Sequence, residues 1–199
     1  MERRHFMMQS AGVFATALLV GSAGLTGCTT TPPARAEGGS PVSKREKING
    51  EVDAALSRLY STVRGSRELV MRARGVLVFP EVLNAGFVVG GSYGEGSLRV
   101  GNRTSGYYQI GSVSVGWQAG AQSKALILAF MTQDALDKFR SSQGWAVGAD
   151  ASVALATMGA NGVLDTNTAQ QPIVGFVVTN AGLMAGLTLQ GTKISKLDI

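Results

Sequence analysis

From Gly75 to Ile199 the hydrophobic pattern has a period of two, and glycines recur within it two or four residues apart. That period sends successive side chains to opposite faces of a strand, which restricts this part of the chain to β-structure. In a long strand expected over Tyr107–Ser123, Gly111, Val113, Val115, Trp117, Ala119 and Ala121 fall on one face. Ser112, Ser114, Gly116, Gln118, Gly120 and Gln122 fall on the other. The same division recurs over Val147–Leu155 and Leu183–Gln190, and Gly116–Gly120 matches Gly182–Gly186 in form, which suggests repeated strands. Antiparallel strands with one apolar and one small, polar face are the expected result. Glycines at such spacing let another backbone approach closely or let the sheet coil strongly. Glycine supplies 27 of 199 residues and charged residues only 16%, which suits tightly packed strands better than long solvated helices.

Val76–Phe79 reads as a short buried strand with Pro80 as its stop. Phe87–Val89 and Ser97–Val100 read as paired strands around a glycine-rich connection, Gly90–Gly96. As a phosphate loop that run lacks the Gly-Lys-Ser/Thr ending and a following helix, so nucleotide binding is not expected. Thr132-Gln133-Asp134 opens a short helix closed by Lys138 and Arg140, an arrangement that suits the helix dipole. Asp134 and Lys138 can pair across one turn. Ala160-Asn161-Gly162 and Asp165-Thr166-Asn167 form a polar loop whose spacing is that of turns and not of an EF-hand.

Ahead of the strands lies a helical segment. Ser43–Glu46 has the form of a capping box, and Ile48, Val52, Ala55, Leu56, Leu59 and Val63 come after it at helical spacing. Gly65 interrupts the pattern, and Ser66–Ala73 is expected to continue as a second short helix carrying Leu69, Val70 and Met71. Two readings stand side by side. One is a core helix with a solvated charged face. The other is a helix that meets lipid headgroups through Arg58, Arg64, Arg67, Arg72 and Arg74. Over residues 58–74 those five arginines face one acid, Glu68.

The N-terminus carries an address. Arg3 and Arg4 precede an apolar stretch, Ala11–Val20, that is too short to span a bilayer as a helix; this is secretory-signal anatomy. Arg3-Arg4-His5-Phe6 also resembles a twin-arginine export signal, so both export routes stay open. Leu25-Thr26-Gly27-Cys28 resembles the lipobox of a bacterial lipoprotein, with cleavage before Cys28 and a diacylglycerol on its thiol. Residues 1–27 are then a signal peptide and 28–42 a tether rich in Pro, Gly, Thr and Ser, and the domain spans 43–199. The fourteen residues Thr29–Val42 span roughly 20 Å as a coil and at most about 50 Å. Thr29 in place of Asp favours the outer membrane, with the domain facing the periplasm or the cell surface.

Cys28 is the sole cysteine and His5, inside the leader, the sole histidine. The mature chain therefore has no internal disulfide, no Cys-His or Ser-His-Asp centre and no His-ligated zinc. No Ser-x-x-Lys motif occurs, since Ser123 and Lys124 are adjacent. No enzyme activity, metal, cofactor or nucleic-acid partner is expected. Without the leader the formal charge falls from +5 to +4, and the excess is local. Nine bases oppose five acids between residues 35 and 74, whereas seven oppose seven from 75 onward. The positive segment is the one nearest the anchor, where an anionic surface would lie.

Several blocks together resemble the SYLF family: Gly75–Pro80, Ala85–Gly96, Lys138–Ser142 with Trp145 and Gly148–Asp150, and Ala181–Gly186. The resemblance runs from about Val52 to Ile199. It implies lipid binding through a basic N-terminal helix, with actin association in eukaryotic members and no established enzyme activity. In this chain only the arginines of residues 58–74 match that lipid-binding feature. The expected fold is α+β: a strongly twisted, antiparallel, glycine-rich sheet or partial barrel, with an N-terminal amphipathic helix and a short inserted helix. The expected function is peripheral binding of anionic phospholipid, phosphatidylglycerol or cardiolipin, by a palmitate-bearing envelope lipoprotein. The alternative is an envelope structural or interaction module whose sheet docks a protein or glycan, favoured if Trp117, Tyr107 or Tyr108 is exposed.

Overall fold

The computed structural model describes residues 40–199 except 87–88, 116–119, 159–163, 166–167, 169, 185–188 and 190, with backbone alone at 85–86, 89, 114–115 and 120–122. The signal peptide, Cys28, nearly all of the tether and Trp117 lie outside the described residues. The repeat read at Gly116–Gly120 and most of the strand read at Leu183–Gln190 lie outside them too.

Helix α1 (Pro41–Thr62) begins two residues before the expected capping box. Ser40 is the N-cap, its hydroxyl accepting from the Ser43 amide at 3.3 Å, and Pro41 takes the first helical position. Proline suits that position because its φ is already helical and it has no N–H to leave unpaired. The apolar stripe is as expected: Ile48, Val52, Ala55, Leu59 and Val63 are buried and Leu56 is half-buried. Gly65, at φ 81°, turns the chain into α2 (Ser66–Arg72) through a left-handed conformation open to glycine. The buried Ser66 hydroxyl donates to the Leu59 and Val63 carbonyls, at 3.2 and 2.7 Å, adding to the bonds they accept from the Val63 and Ser66 amides.

The strands are β1 (Gly75–Gly86), β2 (Val89–Val100), β3 (Arg103–Val115), β4 (Gly120–Phe130), β5 (Gly144–Ala146), β6 (Ala154–Leu155), β7 (Ile173–Thr179), β8 (Gly182–Leu183) and β9 (Lys193–Lys196). Their order is β5-β9-β3-β2-β1-β4-β7-β6, with β8 beside β7. Pairing is antiparallel except between β6 and β7, so the curled half-barrel is a mixed sheet. Each face has its own core. Val76, Val78, Ile127, Ala129, Val174 and Phe176 point to α1 and α2. Leu77, Phe79, Leu126, Leu128 and Phe130 point to Trp145 and to α3 (Gln133–Ser141) with its Leu136 and Phe139. Helix α3 is as read from sequence, capped by Thr132 and carrying the Asp134–Lys138 pair at 2.9 Å. Strand β7 is buried over six consecutive residues because it is covered on both faces, so it shows no alternation.

Four sequence expectations are corrected. Pro80 does not stop β1, which continues to Gly86. It sits in a bulge, where the register to both neighbours slips by one residue between Val78 and Val82. A bulge is what a central strand needs to hold a residue with no amide hydrogen. Gly90–Gly96 is not a connection but the body of β2, paired on both sides. The bulge pushes backbone toward it: a Cβ on Gly96 would lie 2.0 Å from the Val78 carbonyl oxygen, and one on Gly94 would lie 2.6 Å from that of Glu81. Tyr107–Ser123 is not one strand but parts of β3 and β4, which β2 and β1 separate in the sheet. Val147–Leu155 does not run as a strand either, because Gly148 at φ 91° and the Asp150 carboxylate, accepting from the Ala146 amide at 2.6 Å, fold it into a turn.

The first turn of α1 is tied to the sheet by one polar cluster. Lys44 Nζ lies 2.9 Å from Glu95 Oε1, and the Tyr93 hydroxyl donates to the same oxygen at 2.6 Å. Burial pushes the Glu95 carboxyl up, but the hydrogen bonds from Tyr93 and Lys44 and the charges of Lys44 and Lys47 outweigh it and hold the group below its usual 4.5. Burial, with help from Glu95, pushes Tyr93 up to about 12.

This architecture can be tested at two glycines and one carboxylate. Gly96→Ala should cost at least about 3 kcal/mol in denaturant unfolding, because the bulge leaves no room to relax. Gly50→Ala, in α1 with nothing within 4 Å of the new methyl, should stabilise by about 0.5–1 kcal/mol. Equal effects of the two would contradict the packing. Because the folded Glu95 carboxyl is more acidic than the unfolded one, its contribution is present above pH 4.5 and lost as pH falls through the folded value. The Tm difference between the protein and Glu95→Gln should therefore shrink steadily below that pH, and a difference constant from pH 7 to 3 would refute the linkage.

Candidate functional site

All five arginines read from sequence, Arg58, Arg64, Arg67, Arg72 and Arg74, are exposed. Among the described residues none of them forms an ion pair. The helices do not gather them into one group. Two residues along a helix is about 200° of rotation, so Arg58 leaves α1 on the side opposite Tyr60. Arg67, from α2, lies over the Tyr60 ring at 4.4 Å from its centre, a stacking that only a delocalised cation makes well. Burial pushes the Tyr60 phenol up and the Arg67 charge pulls it partly back. Arg67 therefore belongs with α2 and the start of β1, together with Arg72 and Arg74, and Arg58 stands apart.

Helix α2 buries Ser66, Leu69 and Val70, which leaves Met71 on its outward side, 76% exposed. Met71 lies one turn after Arg67 and directly precedes Arg72. An exposed, unbranched apolar side chain on the helix that carries Arg67 and Arg72 is a feature that the sequence reading missed. Met71 was expected to join Leu69 and Val70, but the 100° step from Val70 carries it past the edge of the buried face. The period of α2 alone holds that signal once Ser66, and not only its apolar residues, is counted as buried.

The apolar stripe of α1 is spent on the sheet, so α1 has no second apolar face to offer a membrane. Beside α1 a cleft of about 460 Å³ opens between α2 and the β2–β3 turn, lined by Asp53, Tyr60, Val70, Met71, Arg99 and Asn102 among others. Its one cation, Arg99, is already bound to Asp53 at 2.9 Å, and none of the five arginines lines it. It is therefore a poor phosphate pocket, and the five arginines lie on the open surface outside it.

The aromatic rings proposed for protein docking are largely engaged. Tyr108 is buried against Phe139, with ring centres 4.9 Å apart. Tyr107 is half-buried and its hydroxyl accepts from Asn49 at 3.0 Å. Lys124 points to the α3 face, where burial holds its ammonium below the ordinary range. Among the described residues no group of three or more His, Cys, Asp or Glu is placed to hold a metal. No described helix is long and apolar enough to cross a membrane.

Residues 111–198 match the Ysc84 family, described as Las17-binding protein actin regulator. No curated protein matches the chain. The match begins near the end of β3 and leaves α1, α2, β1 and β2, with all five arginines, outside it. The matched stretch contains Lys138–Ser142, Trp145 and Ala181–Gly186, and it supports the SYLF resemblance read from those residues.

Proposed function

We propose that this chain is a bacterial envelope lipoprotein, acylated at Cys28, whose SYLF domain is a non-catalytic module that binds anionic phospholipid peripherally. The contact is the outward face of α2 and the start of β1, with Arg67, Arg72 and Arg74 meeting headgroup phosphates and Met71 entering between them. The observation that carries this reading is the exposed Met71 on the short helix that also carries Arg67 and Arg72, with Arg74 just beyond it, and no ion-pair partner for these three arginines among the described residues. Each such cation near an anionic surface contributes about 1 kcal/mol, and a single buried methionine side chain adds up to about 1.5–3 kcal/mol. That total suits reversible binding by a domain already tethered to a membrane.

The family description names an actin regulator, which speaks for a protein partner in the proteins it describes. Here the two described tyrosines that would favour docking of a protein or glycan are turned into the fold, and the lipid reading is the stronger.

The test is vesicle cosedimentation of residues 38–199, which make up one unit of the chain by themselves. The domain should pellet with phosphatidylglycerol vesicles and not with pure phosphatidylcholine. Raising salt from about 0.1 to 1 M, which cuts the Debye length from about 10 to 3 Å, should release it. Joint reversal of Arg67, Arg72 and Arg74 to Glu should weaken binding at least about tenfold, whereas Arg58→Glu alone should have a much smaller effect. Binding that ignores headgroup charge, or that survives the triple reversal, would overturn the reading.

A further inference from the structure

Beyond the Pro80 bulge β1 presents its faces the other way round. The extra residue in β1 exchanges the faces, so Val82 and Asn84 point toward the α3 side and Glu81 and Leu83 toward the α1 side. At this end of the sheet Leu83 is opposite Tyr93, Tyr93 is opposite Gly111, and Val113 lies two residues beyond Gly111 on the same face. Directly opposed side chains lie about 5 Å apart and diagonal ones about 7–8 Å, so the three form one continuous strip. They are 52%, 50% and 79% exposed. Across the sheet from them, Asn84, Ser92, Ser112 and Lys124 are half-buried, and the Ser92 and Ser112 hydroxyls bond to each other. Apolar side chains thus stand in water on one face, beside Glu81, Glu95 and Ser123, while polar groups are half-sheltered on the other.

The place of this strip says what covers it. It lies just beyond the first turn of α1, to which it is joined through Tyr93, Glu95 and Lys44. Ser40, at the head of that turn, is where the segment leading back to Cys28 enters the domain. The cations Lys44, Arg45 and Lys47 stand there too, at the level where headgroups would begin. The α2 arginines are at the other end: from Gly75 to Leu83 along β1 is roughly 27 Å, with α1 packed on the same face of the sheet. A flat bilayer therefore engages one end at a time.

We propose that the Leu83–Tyr93–Val113 strip is the surface by which the domain enters the headgroup–acyl boundary of the bilayer that holds its own anchor. This rests on the reading of Cys28 as acylated, and it assigns the α2 arginines to a separate contact. Depth is limited by the backbone. Strand β3 pairs with β9 only up to Gly111, and β4 with β7 only from Ala125, so their outer edges at this end have no sheet partner among the described residues. Unpaired amides and carbonyls are excluded from hydrocarbon, which keeps the strip at the interface, about 5–10 Å deep.

The test uses the full lipidated chain in phosphatidylethanolamine–phosphatidylglycerol vesicles. Cys28 is the sole native cysteine, so a cysteine introduced at Val113→Cys, Leu83→Cys or, as the opposite end, Met71→Cys is the one free thiol if Cys28 is acylated. Each is labelled with an environment-sensitive fluorophore. The expected result is a blue shift and quenching by spin-labelled lipid at positions 113 and 83, with position 71 in water. Shielding at 71 with 113 in water overturns this inference and leaves the arginine reading standing. Water at all three positions overturns it as well, while the anchor-free cosedimentation decides the arginine reading separately. A labelling ratio of two marks a free Cys28 and overturns the inference together with the anchor reading beneath it.

Discussion

The bulge at Pro80 is the constraint on which the rest of this sheet depends. β1 is the central strand, hydrogen-bonded on both sides, and proline there removes a donor that the ladder needs. The chain accommodates it by adding one residue, with two immediate consequences. The displaced carbonyls of Val78 and Glu81 crowd β2, which is why residues 94 and 96 are glycine. The exchange of faces then decides what the later side chains of β1 meet. Val82 stays in the core, and Leu83 is turned out into water beside Tyr93. One proline thus connects the glycine-rich run, the curl of the sheet and the exposed strip at its end.

On either side of this sheet a separate core takes up the apolar surface. Helices α1 and α2 cover one face, and α3 with Trp145 covers the other. Since α1 uses its whole apolar stripe on the sheet, only its two ends and the neighbouring α2 are left to act toward a membrane. Those ends differ in chemistry. The beginning of α1 adjoins apolar side chains and the entry of the N-terminal segment, whereas α2 beyond its other end carries cations around a single exposed methionine. The first suits contact that is insensitive to salt, and the second contact that salt abolishes. In the proposed reading the anchor supplies most of the affinity, the strip orients the domain on the anchoring bilayer, and the α2 surface is a separate anionic contact.

Much of this was legible in the chain. The stripe of α1 and the caps and ion pair of α3 depend on neighbours within a turn or two, so local spacing reveals them. The α+β class and the glycine-rich, strongly coiled sheet were readable from period-two alternation. The hidden features depended on partners distant in sequence. Pro80 reads locally as a stop, and only pairing on both sides makes it a bulge. Val113 reads as core because its neighbours alternate correctly, but it lies beyond the part of the sheet that the α1-side core covers. The separation of Arg58 from Arg67 needs the left-handed turn at Gly65, which changes the direction of the helix that carries the later arginines. The Asp150 carboxylate likewise folded a stretch that its alternation alone describes as a strand.

Cys28 is the pivot of the proposed function, since a covalent anchor is what makes weak, oriented surface contacts sufficient. Intact-mass analysis of the mature protein purified from membranes tests this most directly. The chain should begin at Cys28 and carry the added mass of a diacylglycerol on that residue. A mature chain with an unmodified thiol at Cys28, or one cut at another position, would contradict it.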